Sequence, residues 1–242
     1  HRCLYINNLM RLTAQVINEA PEILNPEGKL TLLLRDLQIT ELENLAITQN
    51  KYQVIDLSNN DLISLGNIPK RFNNLQCLLL SNNNISYIDD ESFPLDNHIT
   101  SITLFNNNIY QFQKSFKDKF PKLETLILLG NPITEMENYR YFIIWLIPSL
   151  KVLDFKKVKQ AERKTSEDMF GTNRDEFNSL AQQMFKNENT EIKLDGKSDR
   201  QVKNFVKKMT DEERQQLLKK LETATSIEEI ERIENDLKEG AV

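Results

Sequence analysis

Four stretches of this chain repeat one pattern. They read Tyr52-Gln-Val-Ile-Asp-Leu-Ser-Asn-Asn-Asp-Leu62, Leu75-Gln-Cys-Leu-Leu-Leu-Ser-Asn-Asn-Asn-Ile85, Ile99-Thr-Ser-Ile-Thr-Leu-Phe-Asn-Asn-Asn-Ile109 and Leu123-Glu-Thr-Leu-Ile-Leu-Leu-Gly-Asn-Pro-Ile133. The aligned asparagines stand at 60, 83, 107 and 131, intervals of 23, 24 and 24 residues. A worn copy precedes them, with Leu32, Leu34, Leu37 and Ile39 in register and Leu37 where asparagine should be. Another follows, with Leu150, Leu153 and Phe155 in register and Val158 at the asparagine position.

The order L-x-x-L-x-L-x-x-N-x-L at this period is the leucine-rich-repeat pattern. One repeat cannot bury its own leucines, so copies stack, and degenerate end copies are expected where a neighbour exists on one side only. The expected architecture is α/β: a solenoid of about six repeats with a curved parallel sheet, a cap at each end and a C-terminal helical tail. Within each x-L-x-L-x core, alternate side chains face opposite sides of a short strand. Ile55/Leu57, Leu78/Leu80, Ile102/Leu104 and Leu126/Leu128 therefore point into one continuous core. The asparagine follows where the chain turns, and its amide can satisfy backbone groups of the neighbouring turn. Leu37 and Val158 cannot do this, so the ladder of amides should stop at the outer repeats.

The residues between the leucines form the concave face. Its middle row is Leu33, Asp56, Leu79, Thr103, Ile127 and Asp154, and a flanking row is Arg35, Ser58, Ser81, Phe105, Leu129 and Lys156. Leu33, Leu79, Phe105, Ile127 and Leu129 are thus apolar where the fold is expected to face solvent. Such a cluster with a polar rim reads as a partner surface. The competing reading is that a terminal segment of the same chain covers it.

With 242 residues there is room for one solenoid and an appendage. A net charge of -5 excludes a generally basic nucleic-acid-binding surface, so any nucleic-acid contact must be local or made through a partner. Cys3 and Cys77 do not form the paired caps of secreted repeat proteins, which favours a reducing compartment. No run of about 18 apolar residues is present to span a bilayer. Residues 1–9 lack the long apolar stretch of a secretory signal, and with Met10 following they read as an extension outside the fold.

In chain order, Thr13 is placed to cap a short helix with Leu12, Val16 and Ile17 on one face, ended by Pro21, Pro26 and Gly28. This segment should close the open end of the sheet. The stretches 67–73, 90–97 and 113–121 read as convex connectors. Residues 135–147 read as an apolar helix with acidic residues in its first turn, stopped by Pro148. Its Tyr141 and Trp145 are most simply packing residues of a C-terminal cap. The repeat domain with its caps is expected to span 10–170, a polar linker 171–200, and a helical hairpin 201–242. Thr210-Asp-Glu-Glu213 and Ser226-Ile-Glu-Glu229 match capping boxes. Leu217, Leu218 and Leu221 then form one apolar stripe, and Ile227, Ile230, Ile233 and Leu237 another, with Gly240 as the stop. A hairpin this short is marginal alone, so docking on another subunit is expected, with packing back on its own solenoid as the alternative.

The run from Gly130-Asn-Pro-Ile-Thr through Tyr139-Arg140 and Pro148 to Val152-Leu-Asp154-Phe-Lys-Lys157-Val-Lys159 and Glu162-Arg163 resembles the cap of the U2 small nuclear ribonucleoprotein A-prime family. The opening Met10-Arg-Leu-Thr-Ala and the first repeat Leu32-Leu-Leu-Arg35 are similar to it too, so the resemblance covers roughly residues 10–170. A Ser-Ile-Glu-Glu-Ile-Glu-Arg-Ile helix like that of the tail is similar to fungal-type members. The resemblance implies a non-catalytic nuclear scaffold in pre-mRNA splicing. Its concave sheet would grip a helix of an RNA-recognition-motif partner of the B-double-prime type, and the pair would bind a stem-loop of U2 small nuclear RNA. The residues fit such a role. Leu33, Leu79, Phe105, Ile127 and Leu129 would hold an apolar helix stripe, with Asp56 and Asp154 pairing its basic residues. Arg35, Lys151, Lys156, Lys157 and Lys159 would form a basic rim suited to phosphates. Base reading would fall to the partner, and other spliceosomal proteins would meet the C-terminal helices.

Catalytic constellations are missing from the sequence. His1 is terminal and His98 lies in a connector, giving neither a triad nor metal-ligand spacing. Six glycines include no phosphate-cradling loop, and no cofactor or metal is expected. The rival reading is a leucine-rich adaptor regulating an enzyme such as a phosphatase, or a cytoskeletal factor.

Overall fold

The computed structural model describes residues 11–186 and, beyond these, Gln215, Gln216, Lys219, Lys220 and Ile233. The leader with Cys3, the hairpin's capping boxes and the remaining residues of its apolar stripes lie outside the described residues. Each repeat contributes one short strand to a single curved sheet. These are β2 (Leu30–Leu33), β3 (Val54–Asp56), β5 (Cys77–Leu79), β7 (Ser101–Thr103), β8 (Thr125–Ile127) and β9 (Val152–Leu153); between them in the chain lie β4 (Ser64–Leu65) and β6 (Tyr87–Ile88), which pair with each other, and the one-turn helix α2 (Ser115–Asp118). They pair in parallel with no slip: Leu32, Ile55, Leu78, Ile102, Leu126 and Leu153 lie side by side. All six are buried, and with Leu34, Leu57, Leu80, Leu104 and Leu128 they form the core that no single repeat could build.

Register is held by the asparagines. Each of Asn60, Asn83, Asn107 and Asn131 donates from Nδ2 to a carbonyl of its own repeat and one of the preceding repeat. For Asn107 these are Leu104 and Leu80, at 3.0 and 2.9 Å. Each Oδ1 accepts from an amide of the preceding repeat, namely Ile39, Leu62, Ile85 and Ile109. All four amides are buried with donors and acceptors used, so the ladder carries little desolvation penalty.

The two ends of the sheet are closed differently. At the N-terminal end, α1 (Ala14–Glu19) is capped by the Thr13 hydroxyl, which accepts from the Val16 amide. The chain then turns at Gly28 (φ +76) to set β1 (Glu22–Leu24) antiparallel to β2. At the other end, β9 turns back into β10 (Lys156–Lys157), and α3 (Tyr139–Leu146), α4 (Gln160–Phe170) and α5 (Ser179–Phe185) cover the last core layer. Phe142 lies within 6 Å of the Trp145, Phe170, Phe112 and Phe185 rings. Each fully buried aromatic of this kind contributes about 1.5–3 kcal/mol. The Trp145 indole donates to the Gly171 carbonyl at 2.7 Å, so Trp145 is a packing residue as expected.

Two expectations for this end are corrected. Residues 132–135 form a short 3-10 turn, and Asn138 adopts a left-handed φ of 63°, so α3 starts at Tyr139 and has no acid in its first turn. The segment read as polar linker from 171 contains α5, whose Ala181 and Met184 are buried in the main core. Its Phe177 and Phe185 pack on Trp145 and Phe142, apolar content too sparse to register against the surrounding polar residues. Of the apolar stripes of the tail only Ile233 is described, and it is buried in a cluster with Ile127, Val152 and Phe155.

Candidate partner-binding face

The concave face is less open than a bare solenoid implies. Leu79, Asp56, Thr103 and Ile127, expected to face solvent, are each at most 3% exposed. Leu33, Phe105 and Leu129 are half-buried. Leu79 packs with Val54 and Cys77 in one small cluster. A second cluster joins Ile127, Val152, Phe155 and Ile233, with Phe105 and Leu129 against it. The apolar residues thus divide into two groups. The one at the C-terminal half of the sheet holds a helical isoleucine from the tail.

The repeat register puts Phe155 in the core and Asp154 on the concave face; in the structure their roles are exchanged. Leu153 and Val152 pair with Lys156 and Lys157, so Asp154 and Phe155 are the two central residues of a tight hairpin. Both have positive φ, 51° and 66°, as a type I′ turn requires. A left-handed phenylalanine is costly, and packing on Ile127 and Val152 holds it there. Asp154 turns instead to the fold: its carboxylate accepts from the Leu128 and Leu129 amides and from the Tyr139 hydroxyl at 2.6 Å. Asp154 thus ties the hairpin to the backbone just after β8, while the asparagine ladder itself stops at Asn131. Burial pushes its carboxyl up, opposed by the hydrogen bonds from Tyr139 and the two amides. The signal for this was an aspartate between two short β-prone pairs, Val152-Leu153 and Lys156-Lys157.

Asp56 is also engaged within the chain. It accepts from the Ser58 amide at 3.0 Å, and Arg35 lies 3.5 Å from its second oxygen. Both expected partner-pairing acids therefore already have intramolecular roles. The expected basic rim separates likewise. Arg35 follows β2, near one end of the sheet, while the lysines lie at the other end. Lys151 pairs with Glu124 at 2.7 Å. Lys156, Lys157 and Lys159 are exposed on or just after β10, beside Phe155. They are presented by a rigid support: Arg140 donates to Glu162 at 2.6 Å, to the Leu153 carbonyl at 2.9 Å and to the Lys157 carbonyl at 3.2 Å. Burial alone would raise Glu162, but Arg140 and the Lys159 amide hold it below its usual value.

Cys77 lies on β5, and burial pushes its thiol up to about 12, which makes it an unreactive packing residue. His98 lies 3.1 Å from the Lys122 amine. Among the described residues no three metal-ligating side chains cluster, and no helix is long and apolar enough to cross a membrane.

This geometry defines a leucine-rich-repeat solenoid with an apolar seat on the C-terminal half of its concave face, and the leucine-rich-repeat family model matches residues 9–185. The chain is 46% identical over 237 residues to the U2 small nuclear ribonucleoprotein A' of Debaryomyces hansenii, with 96% of this chain and 99% of that protein covered. The Neurospora crassa protein of that name is 34% identical, with 96% and 94% covered. A crystal structure of the Drosophila melanogaster SNF/U2A' complex contains a similar chain at a TM-score of 0.61 and 36% identity, covering 69% of this chain and 95% of that one. The chain belongs to the U2 small nuclear ribonucleoprotein A' family. It is a structural component of that particle and not an enzyme.

Proposed function

We propose that the apolar seat formed by Phe105, Ile127, Leu129, Val152 and Phe155 binds a helix of an RNA-recognition-motif protein of the B-double-prime type. The bound pair acts in the nucleus, in pre-mRNA splicing, and holds a stem-loop of U2 small nuclear RNA. The observation that carries this reading is that the seat already accommodates a helix-borne isoleucine. The similar Drosophila chain was solved in a complex with SNF, which supports a protein partner. The partner reads bases by stacking them on its own sheet, and Lys156, Lys157 and Lys159 supply phosphate contacts at the rim. Phe105 and Leu129 are the residues to test, since both are half-buried while Ile127 is wholly enclosed. Phe105→Asp combined with Leu129→Asp should abolish co-purification of the RNA-recognition-motif protein while the melting temperature stays within a few degrees. Undiminished co-purification would refute the assignment.

A further inference from the structure

Ile233 is 2% exposed and lies in one apolar cluster with Ile127, Val152 and Phe155. In sequence it belongs to the stripe Ile227, Ile230, Ile233 and Leu237, whose spacing puts all four on one side of a helix. The surrounding stretch, 226–240, carries six acidic residues against two basic ones. The rim of the seat beside Phe155 is Lys156, Lys157 and Lys159. Apolar spacing and charge thus both match the tail to the seat.

We propose that the C-terminal segment 226–240 is an intramolecular occupant of the concave seat, which any partner helix must displace. The inference rests on the proposed function only for what replaces the tail. The seating itself stands on the buried contacts of Ile233. Its regulatory effect is set by occupancy. A tail seated nine-tenths of the time reduces a competitor's apparent affinity about tenfold, because only the vacant fraction binds. Being tethered, the tail competes at an effective concentration that does not fall on dilution. Its acidic residues also place negative charge near the rim lysines, so displacement would uncover the apolar seat and the basic edge together.

The test uses the full chain and an Ile233→Glu variant, with melting curves to confirm that the solenoid is unaltered. A fluorescent peptide of residues 224–242 is the first probe. It should bind the variant, bind the unmodified chain about tenfold more weakly, and lose binding to both when the peptide itself carries Ile233→Glu. Equal binding to the two chains, or binding to neither, overturns the seating. The second probe is the RNA-recognition-motif protein, which should bind the variant about tenfold more tightly than the unmodified chain. Unchanged affinity there, with the expected peptide result, overturns the competition. The peptide arm judges the tail even if that protein binds neither chain, an outcome that would instead count against the proposed function.

Discussion

The Tyr139 hydroxyl donates to the Asp154 carboxylate at 2.6 Å, joining the first turn of the cap helix to the hairpin that ends the sheet. The same carboxylate holds the Leu128 and Leu129 amides. Removing it leaves three donors, two backbone amides and a hydroxyl, unsatisfied at once. Asp154→Ala is expected to lower stability by roughly 2–4 kcal/mol in denaturant melts, since each orphaned buried group costs about 1–3 kcal/mol. Asp154→Asn keeps an acceptor oxygen for the amides and should cost less than half as much. Both variants should retain the partner, because Asp154 serves the fold and not the concave surface.

Asn107 satisfies the Leu80 and Leu104 carbonyls and the Ile85 amide. Asn107→Ala should destabilise by roughly 2–4 kcal/mol on the same reasoning. Hydrogen exchange gives the sharper check. Protection should fall first at Ile85 and its neighbours in the preceding repeat, and an evenly spread loss would argue against a directional ladder.

The Arg140–Glu162 pair makes the cap sensitive to acid. Glu162 titrates below its ordinary value of 4.5 in the folded chain, so its stabilising effect is complete above that value. The effect is lost as pH falls through the lower folded value. Melting temperature should therefore drop more steeply below about pH 4.5 in the unmodified chain than in Glu162→Gln, with the two curves converging at the lowest pH.

Changing Lys156, Lys157 and Lys159 together to Gln should reduce the salt dependence of U2 stem-loop binding by the assembled pair. Each phosphate contact removed lowers the logarithmic slope by about 0.7–0.9. An unaltered slope would confine phosphate contact to the partner. The triple variant should hold the RNA-recognition-motif protein as before, because the apolar seat is untouched.

The strands, their register and the asparagine ladder were legible because a fixed period repeats them: a misplaced residue in one copy is corrected by the other three. The cap had no such redundancy. Asp154 and Phe155 exchange roles because two consecutive left-handed residues break the alternation on which a strand reading depends. The helix Ser179–Phe185 was hidden in polar sequence, since a few aromatics in contact with Trp145 and Phe142 hold it. The apolar concave residues were found, but their burial was not. Pairing of Asp56 with Arg35 and the arrival of Ile233 both depend on contacts across many residues of sequence.

The asparagine ladder runs in one direction only. Asn60 serves the amide of Ile39, 21 residues earlier, and Asn131 serves that of Ile109, 22 residues earlier. A chain leaving the ribosome amino end first therefore cannot complete any turn until the following one has been synthesised. The Leu128 and Leu129 amides wait in turn for Asp154, 26 and 25 residues later, so the growing solenoid keeps one unfinished edge throughout translation and closes it only when the cap emerges.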